Sequence, residues 1–578
     1  MKGIFSHRPL IPLSIRAEGY LVFSPHLWMD RDPFARHQEY VEGQDGRQYC
    51  IFVRGDSAQQ AVGPLKGFIA GDTDALSSLR GRWLAVVYGE SPREVIPPTV
   101  TIITDRLGSN RVYYMYDGEI LAWSTSLADL LLFMRNDERE HRLDRRGLNG
   151  YLRFLHQPCP STLVEGVSIL PPASCMTLSG EKATIQRYWS PTFTPPPGSG
   201  KRAVEEIRRL LDDAGRRLAS WDGRAGILLS GGLDSSLIAG MGKARGKDLI
   251  AYTVGFEGVA DERRDARRVA HHYKVRYREV LLRPTDIPDL LWEVTRCLGF
   301  PAGNPSGLAT FAVARQAKKE VGRMLSGLGS DELFGGHAKH VLARSWLCGH
   351  RALSLMRRCL SPFGNSEGCL SGRPVRVDRY ADLYTFFDPE QRERLLLPAY
   401  RARDDGYYWE LRRDSFHEEQ FLTDVYAWLS DDLLPLASSL CAHFDLWLDL
   451  PLCGDEMLAC AARIPLRMKV RGGQGKRVLR EACRNVVPAW VFKKGRRGFT
   501  LPMGVWLRGP LKGLLDDYLA PDVIAKRGIF RPEEVGKMVK AHTEGKADLS
   551  LQLWGLITLE VWQRIFLDAE TKEDLIGA

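Results

Sequence analysis

The stretch AGILLSGGLDSSLIAGM, residues 225–241, decides the fold of the larger part of this chain. Residues 227–229 are aliphatic and predict a short buried strand, residues 230–232 predict a tight turn, and a helix is expected to begin near Asp234. Glycines let the backbone approach a ligand, so the N–H groups of the turn and the helix start can converge on one anion. No lysine follows the glycines as it does in the common NTPase phosphate loop, so a different phosphate cradle is predicted.

A second stretch, MLSGLGSDELFGGH at residues 324–337, repeats the order of strand, glycine turn and acidic residue. Because the carboxyl ends of parallel strands meet at one edge of a sheet, this turn is expected to lie beside the first. Asp234 and Asp331 would then be natural oxygen ligands for Mg²⁺. Taken alone, the acidic pair Asp331 and Glu332 would indicate only a helix N-terminus, where the helix dipole favours negative charge.

The chain divides at PTFTPPPGSGKR, residues 191–202, where three successive prolines and a Gly-Ser-Gly predict a linker. Before it, short runs rich in Val, Ile, Thr, Tyr and Trp, such as residues 81–90, predict antiparallel sheets. After it, apolar strands alternate with helical stretches, which is typical of a parallel α/β sheet. We therefore expect a front domain at 1–190 and a rear domain at 203–578, the latter becoming mostly helical towards its C-terminal part.

The composition, 44% hydrophobic and 26% charged, is that of a globular protein, and the net charge of +9 is a mild excess spread along the chain. We expect no nucleic-acid partner from so weak a signal. The eleven cysteines have no metal-ligand or C-x-x-C spacing, which indicates reduced thiols in a cytoplasmic protein. Neither a signal segment nor an apolar run of about 18 residues is present, so no membrane span is predicted.

The Ser-Gly-Gly-Leu-Asp-Ser turn resembles the pyrophosphate loop of enzymes that cleave ATP to AMP and pyrophosphate. Together with the second turn it resembles the asparagine synthetase superfamily, which includes asparagine synthetases, β-lactam-forming synthetases and lasso peptide cyclases. Three further stretches carry the same resemblance: DRLGSNRVYYMYDGEILAWSTSL (105–127), LPPAS…RYW (170–189) and VLREACRNVVPAWVFKKGRRGFTLP (478–502).

This resemblance implies an α/β fold in two parts. The front domain would be a degenerate Ntn-hydrolase-like αββα sandwich, related to glutaminase domains. The rear domain would be a parallel-sheet ATP pyrophosphatase domain, similar to the adenine nucleotide α-hydrolases, with a helical C-terminal part. The implied chemistry is activation of a carboxylate by ATP as an acyl-adenylate, followed by attack of an amine.

The resemblance also implies site residues. Contacts to ATP are expected from Leu228, Ser230, Gly231, Gly232, Asp234, Ser235, Val254, Ser326 and Gly327. Asp234 and Asp331 would bind Mg²⁺ and take part in catalysis. The family places a lysine two residues before a Gly-Phe to neutralise the departing pyrophosphate. Here KKGRRGF puts Arg496 at that position with Lys494 just upstream, and which of the two meets the pyrophosphate stays open.

Four departures from the family pattern concern the use of glutamine, ammonia and aspartate. The glutamine-using members begin with Cys-Gly-Ile after a removed Met, whereas this chain has Lys2, and a protonated ammonium is no nucleophile. The stretches that hold glutamine have no counterpart in residues 30–75. Leu328 replaces a glutamate that helps ammonia attack, and Asp449 replaces an arginine of the substrate site. We therefore expect ATP use without glutamine hydrolysis, and a changed substrate.

The leading hypothesis is a cyclising amide ligase resembling the lasso peptide cyclases. It would adenylate an Asp or Glu side chain of a precursor peptide and join it to the peptide's N-terminal amine. A cysteine protease or leader-peptide-binding protein would be its partner. A β-lactam-forming synthetase ranks lower because that group has a tyrosine where Leu328 stands. An amidotransferase-like enzyme of asparagine or polysaccharide synthesis stays open, and a catalytically dead scaffold is disfavoured because Asp234 and Asp331 are both kept.

Overall fold

The computed structural model describes the backbone of most of the chain and its side chains from Gln38 onward. The described residues are 2–6, 20–24, 27–30, 35–43, 45–55, 58–91, 97–136, 139–194, 199–259, 261–341, 380–402, 408, 411–493 and 501–568.

The front domain contains two six-stranded sheets with antiparallel pairing. One sheet holds the strands Lys2–Ser6, Tyr20–Ser24, Leu27–Asp30, Tyr113–Tyr116, Ile120–Ser124 and Ser168–Ile169. The other holds Ala35–Glu42, Gln48–Gly55, Trp83–Glu90, Thr99–Thr104, Ser174–Ser179 and Lys182–Arg187. The predicted antiparallel sheets are thus confirmed.

Alternation along the strand Gln48–Gly55 shows why these sheets lie between helical layers. Cys50 and Phe52 pack with residues of the other sheet, such as Trp123, whereas Ile51 and Val53 pack towards the helix Ala58–Ile69. Successive side chains of a strand point to opposite faces, so a strand with both faces apolar must be covered on both sides. The helices Leu127–Asn136 and Arg145–Phe154 complete the front domain and pack into the core of the rear domain.

The rear domain is built on a five-stranded parallel sheet, as predicted. Its strands run in the spatial order Arg276–Leu282, Leu249–Phe256, Ala225–Leu228, Arg323–Leu325 and Trp447–Asp449. The helices in the first part of the rear domain, up to residue 334, are Ser199–Ser220, Leu233–Lys243, Arg263–Tyr273, Ile287–Leu298, Ser306–Ala317 and Ser330–Phe334. The first of these begins inside the stretch predicted as a linker, because its apolar face is buried against the core from Ala203 onward.

The remainder of the described rear domain is mostly helical. Its helices are Pro389–Leu395, Phe416–Leu422, Leu434–His443, Asp455–Arg463, Leu466–Lys469, Arg477–Ala482, Met503–Trp506, Gly513–Leu519, Pro521–Arg527, Pro532–Thr543 and Ser550–Phe566. A π-helical segment, Thr423–Leu433, joins two of them and carries the buried carboxyl groups Asp424, Asp431 and Asp432. Across the described residues, no helix combines the length and apolar composition needed to cross a membrane.

Buried polar contacts join the two domains. The Arg111 guanidinium of the front domain donates to the Asp431 carboxylate of the rear domain at 2.8 Å, and both side chains are buried. The backbone N–H of Cys159 donates to the same carboxylate, also at 2.8 Å. Removing one partner of a buried ion pair typically costs about 3–5 kcal/mol of stability, because the other charge is left uncompensated. The front domain therefore contributes buried ionic contacts to the rear domain.

Candidate active site

The first glycine turn has the geometry of an anion cradle. Gly231 has φ +69°, and a Cβ there would lie 2.6 Å from the Asp265 carbonyl carbon, so only glycine fits without strain. The backbone N–H of Gly232 donates to Ser230 Oγ at 3.2 Å, and that of Ser230 donates to Ser235 Oγ at 3.2 Å. These hydroxyls hold the turn at the start of the helix Leu233–Lys243, whose N-terminal N–H groups favour anions.

The second turn lies directly against the first, as predicted from the parallel sheet. The strands that precede the two turns are neighbours, with Ile227 opposite Leu325. A Cβ at Gly327 would lie 2.7 Å from Asp234 Cβ, and Ser330 Oγ donates to Asp234 Oδ1 at 2.8 Å. The predicted meeting of the two turns at the carboxyl edge of the sheet is confirmed.

The other predicted nucleotide contacts lie along the same edge. Leu228 ends its strand and pairs with Tyr252, so Val254 is level with the first turn. Ser326 follows the neighbouring strand, and its N–H donates to the Asp449 carbonyl at 3.0 Å. These positions therefore lie at the carboxyl edge of the sheet beside the two turns, and their contacts to a nucleotide stay a prediction. Lys494 and Arg496, the predicted pyrophosphate cations, lie outside the described residues.

A buried lysine that the sequence analysis missed joins the two predicted metal ligands. Lys476 Nζ lies 2.5 Å from Asp234 Oδ2 and 2.9 Å from Asp331 Oδ1, and its side chain is 6% exposed. It precedes the helix Arg477–Ala482, in the glycine-rich segment RGGQGK at 471–476. Two carboxylates that lie side by side need a neutralising cation nearby. A lysine in a glycine-rich segment is the sequence feature that could have predicted this one.

The electrostatics of this ion cluster, Asp234–Lys476–Asp331, keep the lysine charged. Burial by itself would lower the pKa of Lys476, but attraction by Asp234 and Asp331 outweighs burial and raises that pKa above its ordinary value. Burial and the neighbouring charge of Asp331 raise the pKa of Asp234, while Lys476 opposes that rise. The cluster therefore presents one fixed cation beside two carboxyl groups at the first glycine turn.

The residues present fit a magnesium ion brought with a nucleotide. Mg²⁺ usually takes one or two protein carboxylates and completes its coordination with phosphate oxygens and water. Asp331, with a 37% exposed side chain, presents its carboxylate at the mouth of the cluster. The described residues contain no group of three or more His, Cys, Asp or Glu arranged as a complete metal site. Asp234 and Asp331 are thus suited to sharing the ion with a phosphate ligand.

Leu328 and Asp449, the two rear-domain residues that depart from the family pattern, both have partners within the fold. Leu328 is half-buried and packs against the main hydrophobic core. Asp449, in the edge strand Trp447–Asp449, lies 3.3 Å from the Arg323 guanidinium, so its charge is compensated within the sheet. Neither position therefore offers the free acidic or basic group that the family pattern would place there.

Residues 206–564 match the family model described as asparagine synthase, and residues 65–189 match the glutamine amidotransferase domain. The chain belongs to the asparagine synthase family. An asparagine synthetase [glutamine-hydrolyzing] 1 from Bacillus subtilis is 25% identical over 517 residues, which cover 86% of this chain and 79% of the relative. A second B. subtilis protein, asparagine synthetase [glutamine-hydrolyzing] 3, is 22% identical over 448 residues, covering 73% of this chain and 68% of the relative.

Among solved structures, a B. subtilis glutamine phosphoribosylpyrophosphate amidotransferase aligns with 44% of this chain and 50% of its own at 10% identity. The TM-score of 0.18 is too low to support an argument about the fold. Membership of the asparagine synthase family makes this protein an ATP-dependent ligase that forms amides.

Proposed function

We propose that this family member closes a macrolactam ring in a precursor peptide. It would adenylate an Asp or Glu side chain of the peptide and join it to the N-terminal amine, releasing AMP and pyrophosphate. The observation that carries the proposal is the contrast within one site. The ion cluster and both glycine turns, which we expect to bind ATP, are present, whereas Leu328 and the Asp449–Arg323 pair stand where the family has groups used for ammonia and aspartate.

In the first half-reaction the peptide carboxylate attacks the α-phosphorus of ATP, and the bond to the β-phosphate oxygen breaks. Negative charge then grows on the departing pyrophosphate, next to the N–H groups of the first turn and the Lys476 ammonium. Such preorganised donors and cations stabilise the transition state more than the ground state. Mg²⁺ held by Asp234 and Asp331 would supply further neutralisation of the phosphate charge.

In the second half-reaction the N-terminal amine attacks the activated carbonyl carbon, a C–N bond forms and AMP leaves. Both reacting groups belong to one peptide, and positioning them together is worth roughly 7–11 kcal/mol of the barrier. Water would hydrolyse the same adenylate, so the site must be dry. The half-buried Leu328 beside the cradle suits such a wall.

The partner follows from the substrate. A precursor peptide has to be delivered with its amine and carboxylate near the cradle, and a leader-peptide-binding protein or cysteine protease would present and trim it. We place the peptide at about residues 337–470, whose described parts, 337–341, 380–402, 408 and 411–470, are largely helical.

A second candidate is an amidotransferase-like enzyme that transfers ammonia or another amine in asparagine or polysaccharide synthesis. The similarity to proteins named as glutamine-hydrolyzing asparagine synthetases, which covers 86% and 73% of this chain, favours it. A β-lactam-forming synthetase shares the chemistry but has a tyrosine at the position of Leu328. A catalytically dead scaffold is disfavoured by the complete ion cluster.

The front domain is expected to hydrolyse no glutamine, because Lys2 stands at the position of the nucleophilic cysteine. Incubating the protein with glutamine, in the presence and absence of ATP, should produce no glutamate above the level of a protein-free control. The Lys2→Cys variant tests whether the residues around position 2 can still support glutamine hydrolysis when a cysteine is supplied. Glutamate production by the unmodified chain that is lost in Lys2→Ala would contradict the prediction.

The peptide product is the direct test of the proposed function. With ATP and a peptide carrying a free N-terminal amine and a nearby Asp or Glu, the peptide mass is expected to fall by one water while AMP and pyrophosphate appear. Mass spectrometry and pyrophosphate release are measured together, with an N-acetylated peptide as control. Leu328→Glu should admit water and lower the ring yield per ATP consumed. Efficient conversion of aspartate and ammonium to asparagine, without any ring, would favour the amidotransferase.

A further inference from the structure

A histidine and a buried glutamate form a pair just beyond the ion cluster. His337 Nε2 lies 2.7 Å from Glu332 Oε1, and the two side chains are 25% and 1% exposed. The other carboxylate oxygen, Glu332 Oε2, is buried and has no hydrogen-bond partner among the described residues. A buried carboxylate oxygen without a hydrogen bond lowers the stability of the fold, so it calls for an explanation. Orienting an imidazole is one such explanation.

This pair adjoins the ion cluster. Gly336, which precedes the histidine, is packed so tightly that a Cβ there would lie 2.4 Å from Lys476 Cε. Its N–H donates to the Asp331 carbonyl at 2.7 Å. His337 therefore comes directly after a residue, Gly336, that contacts both Lys476 and Asp331.

Behind the pair, a buried network holds the backbone of the histidine in place. The N–H of His337 donates to His340 Nδ1 at 2.8 Å, which leaves His340 Nε2 to donate to Asp424 Oδ2 at 2.7 Å. His340 and Asp424 are fully buried, and Tyr380 also donates to Asp424 at 3.1 Å. Burial lowers the pKa of His340 in spite of the Asp424 charge, which favours the neutral ring that this hydrogen-bond pattern requires.

We propose that His337, oriented by Glu332, accepts the proton of the attacking amine, an inference that rests on the proposed amide-forming function. With Nε2–H donating to Glu332, the basic ring atom is Nδ1, which has no hydrogen-bond partner among the described residues. The amine nitrogen bonds to the acyl carbon, its proton passes to His337 Nδ1, and the bond from the acyl carbon to the AMP oxygen breaks. The imidazolium then returns its proton to solvent.

The other groups near the cradle are unsuited to this role. Leu328 has no basic atom, and Lys476 is held protonated between two carboxyl groups. The Glu332 side chain is 1% exposed, so neither its bonded Oε1 nor its unbonded Oε2 is accessible to an amine. A carboxylate-oriented imidazole is also the common arrangement of a general base.

Hydroxylamine separates the two half-reactions, because it is an uncharged nucleophile near pH 7 and traps an acyl-adenylate with little help from a base. His337→Ala is expected to lower ring formation by about 10²-fold, the lower end for loss of a general base. Formation of the peptide hydroxamate should stay within about two-fold of the unmodified protein. His271→Ala, at an exposed histidine of the helix Arg263–Tyr273, is the matched control. His337→Gln, which keeps a donor for Glu332, replaces the alanine variant if that one is unstable.

Wild-type ring formation in the His337 variants would overturn the proposal, and so would equal losses of ring and hydroxamate, which indicate a structural role. If the unmodified protein forms no ring, the proposed function fails instead. The comparison is then repeated with whichever amine the protein does use, such as ammonium with aspartate. If the His337 variants then lose amide formation but keep hydroxamate formation, His337 is still supported as the proton acceptor. If amide and hydroxamate formation are lost equally, or neither is lost, the proposal is overturned.

Discussion

Lys476→Met is expected to reduce ATP-dependent pyrophosphate release by about 10²–10³-fold, equivalent to roughly 2.7–4 kcal/mol of transition-state stabilisation. The variant removes the cation that lies 2.5 Å from Asp234 and 2.9 Å from Asp331, beside the phosphate cradle. Growing charge on the pyrophosphate would then face two carboxyl groups without compensation. The measurement is initial pyrophosphate release at saturating ATP and peptide, together with thermal unfolding to confirm that the variant is folded.

The exposed Lys493 provides the matched control, because Lys493→Met removes a lysine of the same C-terminal segment without touching the cluster. Lys494→Met and Arg496→Met, tested in parallel, show whether either of these also meets the pyrophosphate. Normal activity of Lys476→Met would show that the cluster is structural only. Attraction by the two carboxyl groups raises the pKa of Lys476 above its ordinary value of 10.5. The cation is therefore present throughout the neutral range and is lost only as the pH rises through that raised pKa.

Asp234→Asn and Asp331→Asn are each expected to remove most Mg²⁺-dependent pyrophosphate release, by a factor of about 10² or more. An amide is a weaker ligand than a carboxylate for a hard cation, and each change also deprives Lys476 of one counter-charge. Release is measured over a range of Mg²⁺ concentrations, and a higher Mg²⁺ requirement is expected wherever activity remains.

Asp522→Asn, at an exposed aspartate in the first turn of the helix Pro521–Arg527, is the control for the loss of one negative charge. Of the two variants, Asp234→Asn is expected to lose more pyrophosphate release. The Asp234 carboxylate contacts both Lys476 and Ser330, whereas Asp331 is more exposed. Wild-type rates and an unchanged Mg²⁺ dependence in both variants would show that the two turns bind something other than a metal–nucleotide complex.

Much of the fold could be predicted from the sequence because the information is local. The helix after the first turn begins at Leu233, one residue before the expected position. Glycine at 231 is required by a positive φ, and periodic apolar residues define which faces are buried. The meeting of the two turns followed from one further rule, that parallel strands align their carboxyl ends.

The sequence by itself thus determined the α/β fold with its antiparallel and parallel sheets, the two glycine turns and the two acidic residues beside them. Only the tertiary structure decided which charges meet. Lys476 is 242 positions from Asp234, and Arg111 is 320 positions from Asp431, yet each pair is in direct contact. Local patterns specify backbone conformation and buried faces, whereas an ion pair between distant residues depends on the path of the whole chain. The pairing of His337 with Glu332 is local, and it depends on the left-handed conformation of Gly335 between them.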